Sequence, residues 1–509
     1  MLFQGAFIAT TALLFSTTTT IISPTMALST TAKTSSDRRP TMRSVDSTIS
    51  ILSSAESAVL SWETIDERIK DMAERAKNGT PFTEEEIKDI SNGLKNLAPI
   101  VDDKGSDKGI DFTDLQNLLS DVAHLSHKDW AMTSGNSDKL CSTLSVEELD
   151  DGTTNYPLTP NARQLLERCI REGNWDGAVE NAAPLESPTD EKAWAVLVTG
   201  VNGIRKTTSM YQPWFSELLS EALVCPSSPD GQKSEGSVSP NILPTGSNSF
   251  FRQLDHMICT LCNEEFTRLY AWSTSQLPKA KDDEKPVPSD EVIEQYSNYK
   301  VNFNLKMTTN LRDSWLSGNR PDCYIILHSR SLYFITRNKA AIFSRYRTIS
   351  ELLGALLLKQ AQKVNINCMM ETSGRDVAMF YYVDHFFGEN KNYNKLALHF
   401  TINDLTCAQE SVDRRMVEEM QLGAKSLKTG DVFDIVYTNQ GGPYGSKVLE
   451  GVQRDSDKVW DSEVLSGAVG KDWYKATIAI NAHSSEPWTA QAVKSDGSLG
   501  KKYTFEPRK

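Results

Sequence analysis

Apolar residues recur at helical spacing over 84–97 and again over 115–125, set among dense charge, so the early chain reads as amphipathic helices. Thr83 is a candidate N-cap for the first of them. Near residue 190 the pattern changes. The continuous apolar run 194–198 ends in Thr199-Gly200, which predicts a strand buried on both faces. A long helical pattern covers 349–362, strands are predicted at 364–370 and 395–402, and 323–327 is a further candidate. The stretch 250–272 reads as a helix with one apolar face. Helices alternating with short apolar strands predict an α/β fold, a parallel sheet flanked by helices. After residue 430 short strands at 434–438, 473–480 and 490–494 alternate with Gly-rich turns, which predicts a β-rich extension. The Ser/Pro/Gly-rich stretch 226–246 and the charged, Pro-flanked stretch 278–288 read as loops.

The chain has 509 residues, enough for two to four domains. The divisions we read are a targeting peptide over 1–44, a helical region over 45–185, a nucleotide-binding domain over 186–430 and the β-rich extension over 431–509. Residues 1–36 carry no Asp or Glu, and combine a short apolar run with a Ser/Thr-rich tract that leads to Arg38, Arg39 and Arg43. That tandem suits an organellar address, a plastid in the first place, with the secretory pathway or the mitochondrion as alternatives. No later segment has the length and apolarity of a membrane helix, so stable membrane insertion is not expected. The formal net charge of -13, with no basic patch to reverse it, argues against a nucleic-acid partner. The 8 cysteines follow no disulfide framework. Cys259-x-x-Cys262 with His256 lacks the remaining ligands of a zinc site and reads as core. Asp103 to Asp114 is similar to a calcium loop, but Lys108 stands where the turn wants Gly and Asp114 where a bidentate Glu is usual, so a turn between helices is the preferred reading.

The most informative segment is Gly200-Val-Asn202-Gly203-Ile204-Arg205-Lys206-Thr207-Thr208, placed between a predicted strand and a predicted helix. This is the setting of a phosphate-binding P-loop. Its glycines let backbone N–H groups curl round phosphate oxygens, the helix start adds its dipole, Lys206 reaches the phosphates and the Thr207 hydroxyl ligates Mg2+. The expected cofactors are therefore ATP and Mg2+. Arg205 departs from the usual pattern, which has Gly before the Lys; its side chain either strains the loop, points outwards or supplies a further cation.

Gly200 to Gly203 followed by Lys206-Thr207-Thr208 is similar to the signal-recognition-particle GTPases, but the chain has no Thr-Lys-x-Asp motif. The better resemblance, over about 190–430, is to the zeta toxin family of P-loop kinases. It rests on Glu371-Thr-Ser373-Gly-Arg375 after a strand, on Ser411-Val-Asp-Arg414-Arg415, and on Asn248-Ser-Phe-Phe-Arg-Gln-Leu-Asp-His256. The resemblance implies a P-loop NTPase-type fold and phosphoryl transfer from ATP to the hydroxyl of a small molecule, in that family a nucleotide sugar. It implies that Glu371, Ser373 and Arg375 hold the acceptor and that Arg414, with Arg415, is the lid cation. The family's base is an Asp where this chain has Ser249, so Asp255 or Asp376 is the candidate substitute. The alternative is a nucleotide-binding scaffold or switch without turnover.

Overall fold

A computed structural model describes residues 62–97, 112–144, 173–182, 192–226, 243–267, 329–429 and 445–506, single positions within these spans excepted, together with Thr438 and Gly442. The stretch 1–44 expected to be a targeting peptide, most of the calcium-like loop, the stretches 278–288 and 323–327, and 434–437 lie outside the described residues.

Four helices come first: α1 (Trp62–Asn78), α2 (Glu84–Leu97), α3 (Phe112–Val122) and α4 (Trp130–Thr143). Thr83 caps α2 as expected, and reciprocally: the Glu86 N–H donates to Thr83 Oγ1 and the Thr83 N–H to Glu86 Oε2. After the short α5 (Trp175–Glu180) the sheet begins with β1 (Ala193–Thr199), followed by α6 (Lys206–Met210) and α7 (Phe215–Ala222). Next come β2 (Ser249–Arg252), α8 (Leu254–Leu261), the 35-residue α9 (Ser329–Lys363), β3 (Asn367–Glu371), α10 (Ala378–Phe386), β4 (Tyr393–Ile402) and α11 (Leu405–Thr429). The last elements are α12 (Leu449–Val459), which runs on into a π-turn at Trp460–Val464, and β5 (Tyr474–Asn481), β6 (Thr489–Val493) and β7 (Tyr503–Thr504).

The seven strands form one sheet in the order β2-β3-β1-β4-β5-β6-β7. The first five are parallel, and β6 and β7 join antiparallel. The fold is thus mixed α/β with a mostly parallel sheet. Its β1 shows why a continuous apolar run was needed: Ala195 and Leu197 enter one core, while Trp194, Val196 and Val198 enter another on the opposite face. The first core also takes in α9, α8 and the apolar stripes of α2, α3 and α4, so the N-terminal helices and the sheet share packing through α9. The second core is closed by α7, the start of α11 and residues of β5 and β6.

One expected element differs. The stretch from Phe250 is not helical throughout: Ser249–Arg252 is a strand and the helix begins at Leu254. Phe250 and Phe251 point into opposite cores, the period of a strand, and the Phe251 N–H donates to Gly173 O at the sheet edge.

From β1 the chain leads to β2, on one side of it, and from the adjacent β4 to β5, on the other. The carboxyl ends of β1 and β4 therefore flank a switch point, where an open parallel sheet leaves a crevice for ligands.

Candidate functional site

The turn from β1 to α6 lies at that carboxyl rim. Its backbone alternates in hand: Gly200 has φ +121°, Gly203 φ +86° and Arg205 φ 62°, with negative φ at the residues between. Such alternation turns successive N–H groups towards one concavity, a setting for an anion. The two glycines are required by more than φ. A Cβ at Gly200 would lie 2.5 Å from Phe400 O, and one at Gly203 2.6 Å from Ala408 O on α11. Val201 and Ile204 anchor the turn in the core, while Asn202, Gly203, Thr207 and Thr208 are half-buried. The helix dipole contributes less than the sequence suggests, because α6 has only five residues before the turn at Pro213.

Lys206 is 7% exposed and its ammonium lies back across the turn, donating to Gly200 O at 2.9 Å and Val201 O at 3.0 Å. Burial pushes its pKa down; Glu371 and Asp255 favour the charge and Arg415 opposes it. Thr207 Oγ1 donates to Glu371 Oε1 at 2.7 Å. This contact follows from register: Val198 of β1 pairs with Glu371, the last residue of β3, so the acid emerges beside the turn. Two oxygen groups, a hydroxyl and a carboxylate, thus meet at the rim, the donor chemistry that suits Mg2+.

Beyond Glu371 the chain bends at Gly374, whose φ of +74° and close approach to Thr199 require glycine. Ser373 is half-buried there and Arg375 is exposed. Asp376 is committed to the start of α10, where its carboxylate accepts from the Ala378 N–H. On α11, Arg414 is exposed, and Arg415 is half-buried, near Glu419 and within electrostatic range of Lys206.

Strand direction decides between the candidate bases. Ser249 opens β2, paired with Asn367 at the amino end of the sheet, and donates to Asn248 Oδ1. It lies at the end opposite the β1–α6 turn. Asp255 lies in the first turn of α8, just past the carboxyl end of β2. Burial raises its carboxyl above the usual range; Arg347, Lys339 and Arg415 pull it down and Glu371 adds to the rise. No hydrogen bond is formed by the Asp255 side chain among the described residues. The structure therefore gathers Lys206, Thr207, Glu371, Asp255 and Arg415 round one rim and leaves Ser249 and Asp376 out.

Sequence reasoning passed over four participants. His399 of β4 is buried, stacked on Trp460, and links Thr199 Oγ1 to Asp457 of α12 through its two ring nitrogens, at 2.9 and 3.3 Å. Arg347 and Lys339 come from α9 to face Asp255. Trp488 lies under the Arg205 guanidinium, 4.2 Å from the ring centroid. No spacing in the sequence marks these, since each meets its partner only through the fold. Cys259 and Cys262 are buried free thiols, with burial pushing both well up, and both pack in the core. Among the described residues no helix is long and apolar enough to cross a membrane. Comparison of the chain with protein-family models, curated proteins and solved structures gives no match.

Proposed function

We propose that this chain is an ATP-dependent phosphotransferase of P-loop type, which moves a phosphoryl group to the hydroxyl of a small molecule held at the carboxyl rim of the sheet. The observation that carries it is the meeting of Lys206, Thr207 and Glu371 at the left- and right-handed turn after β1. Backbone N–H groups of residues 200–207 hold the phosphates. Lys206 exchanges its two carbonyl partners for phosphate oxygens, which return more favourable charge–charge contacts in a buried place. Thr207 and Glu371 hold Mg2+, which when bound offsets the charge of the phosphates. Glu371 then serves the metal side of the site, and Ser373 and Arg375 remain to orient the acceptor. Asp255 takes the proton of the acceptor hydroxyl; a raised carboxyl with no hydrogen bond of its own is a better base than an ordinary aspartate. Arg415, with Arg414 beside it on α11, supports the charge spread over the moving phosphoryl.

The test is calorimetric titration of the full chain with Mg2+-ATP, followed by turnover with phosphorylated and unphosphorylated polyols and nucleotide sugars as acceptors. Lys206→Ala should weaken ATP by at least about tenfold, the scale of a lost charge-assisted hydrogen bond. Unchanged affinity in that variant would falsify the proposal.

A second reading is favoured by the same lysine. Its ammonium already satisfies two carbonyls and α11 presses on Gly203, a closed arrangement that suits a nucleotide-binding scaffold or switch. ATP that binds but is never transferred or hydrolysed, with wild type and Asp255→Asn alike, selects this one.

A further inference from the structure

Arg205 stands directly before Lys206 in a left-handed conformation, φ 62° and ψ 32°, that glycine adopts freely and an L side chain adopts at a cost. The fold holds it there through its guanidinium. The group lies 4.2 Å from the Trp488 ring centroid and 5.6 Å from that of Phe505. Arg205 forms no ion pair among the described residues, and the charge it feels is another cation, Arg414, so aromatic faces and not an acid hold it.

Both rings are themselves fixed. Trp488 is 8% exposed, its Nε1–H donates to His483 O, and its carbonyl accepts from the Phe505 N–H. The segment carrying Phe505 is tied back to the chain just after α6: Trp214 Nε1–H donates to Thr504 O, the Glu506 N–H donates to Gln212 Oε1, and Trp214 stacks on Tyr503. A closed circuit results, from the turn to Trp488, to the C-terminal strands, and back to the residues that follow α6.

We propose that Arg205 is a positioning residue, which seats the β1–α6 turn on Trp488 and so makes the C-terminal strands a required part of the nucleotide site, without touching the nucleotide. This rests on the proposed function. The Arg at the position usually held by glycine is then a device for fixing the backbone of residues 203–206 in its anion-holding shape, with the cation–π contact offsetting the backbone cost.

A double-mutant cycle in the full chain tests it: Arg205→Gly, Trp488→Ala and the pair, read as Mg2+-ATP affinity by calorimetry, with thermal unfolding as a check that each variant is folded. Each single change should weaken ATP by about fivefold, near the upper strength of an exposed cation–π contact. The pair should be no weaker than either single variant, because both changes remove one contact. Trp488→Phe, which keeps an aromatic face, should restore affinity to within about threefold of wild type. Losses that multiply in the pair overturn the inference. So does a loss in Arg205→Gly with none in Trp488→Ala, which would put Arg205 on the phosphates directly. So does a Trp488→Phe variant as weak as Trp488→Ala, the mark of a packing defect. Absence of ATP binding in wild type, equal to Lys206→Ala, removes the proposed function and this inference together; binding in wild type with an additive cycle removes the inference alone.

Discussion

Charge is buried in two regions of this molecule, and the two treat it in opposite ways. Where α9 packs on α2 and on β2, acids and arginines touch. Arg345 donates to both Glu86 oxygens at 2.9 Å, with its remaining donors on Thr80 O and Pro81 O, and Arg252 and Arg347 converge on Glu351 at 2.8 and 3.0 Å. Burial alone would raise both carboxyls; Arg345 and the Thr83 N–H overcome it for Glu86, and Arg252 and Arg347 for Glu351, so both end below the usual range. At the rim, Asp255 has three cations in electrostatic range and a hydrogen bond to none of them, and burial wins. Acids in contact with their cations are architecture, whereas an acid kept at a distance from them has capacity left for a ligand.

The pH dependence separates the regions by sign. Glu86 and Glu351 have depressed folded values, so their contribution is present above the ordinary carboxylate value near 4.5 and is lost as pH falls through the depressed one. Asp255 has a raised value, so its contribution is full below 3.8 and is lost as pH rises through the folded value.

The largest break in this contrast comes from Arg252→Met. It leaves the Glu351 carboxylate, 1% exposed, with Arg347 alone, and should cost about 3–5 kcal/mol in chemical denaturation, the usual penalty for halving a buried pair. ATP affinity of the folded fraction should stay within about twofold, since neither Arg252 nor Glu351 belongs to the β1–α6 turn. A stability loss under about 1 kcal/mol would place Arg252 outside the architectural class. Next in size is Gly203→Ala. A methyl group there meets Ala408 O and the Val412 side chain under 3 Å at a φ of +86°, so about 2–3 kcal/mol of stability should go, from clash and backbone together. Unlike Arg252→Met, it should also weaken ATP, because the turn itself must move; a Gly203→Ala protein with normal affinity would mean that nothing binds in this turn.

The sequence made the frame of the rim readable because β1, β3 and β4 are buried on both faces, so that β1 and β3 show as apolar runs and β4 as one broken only by His399 between Leu396 and Phe400, and because Thr83 and Glu86 spell a capping box. The turn after β1 was equally plain, since its glycines are forced by φ and close backbone contact. Asp255 was only half legible. Its place depends on where β2 stops, and four residues of edge strand leading into a helix carry too little periodicity to be told from the helix itself. The place of Ser249 needs the same knowledge: only the strand's direction shows that it lies at the far end of the sheet. Arg205 looked like a departure from a motif because Trp488, its partner, is distant in the chain and belongs to a β-rich stretch with no motif of its own. His399 likewise read as one polar residue in a strand, and its bond to Asp457 needs α12 to be in place.

The smallest effect, and the one that sharpens the contrast most, is Asp255→Asn. The change removes a charge that burial disfavours while keeping the shape of the side chain. At pH 7 to 8 the variant should be more stable than wild type by about 1 kcal/mol, where most single changes destabilise. As pH falls the wild-type carboxyl takes up a proton and the penalty fades, so the two thermal unfolding curves should converge towards pH 4, and phosphoryl transfer by the variant should be lost across the whole range. The convergence has a definite sign: had Asp255 been an acid of the Glu86 or Glu351 kind, its removal would destabilise most at neutral pH and least in acid. A variant less stable than wild type at pH 7, with the gap closing on acidification, would therefore move Asp255 from the rim's chemistry into the framework and leave the proposed transfer without its base.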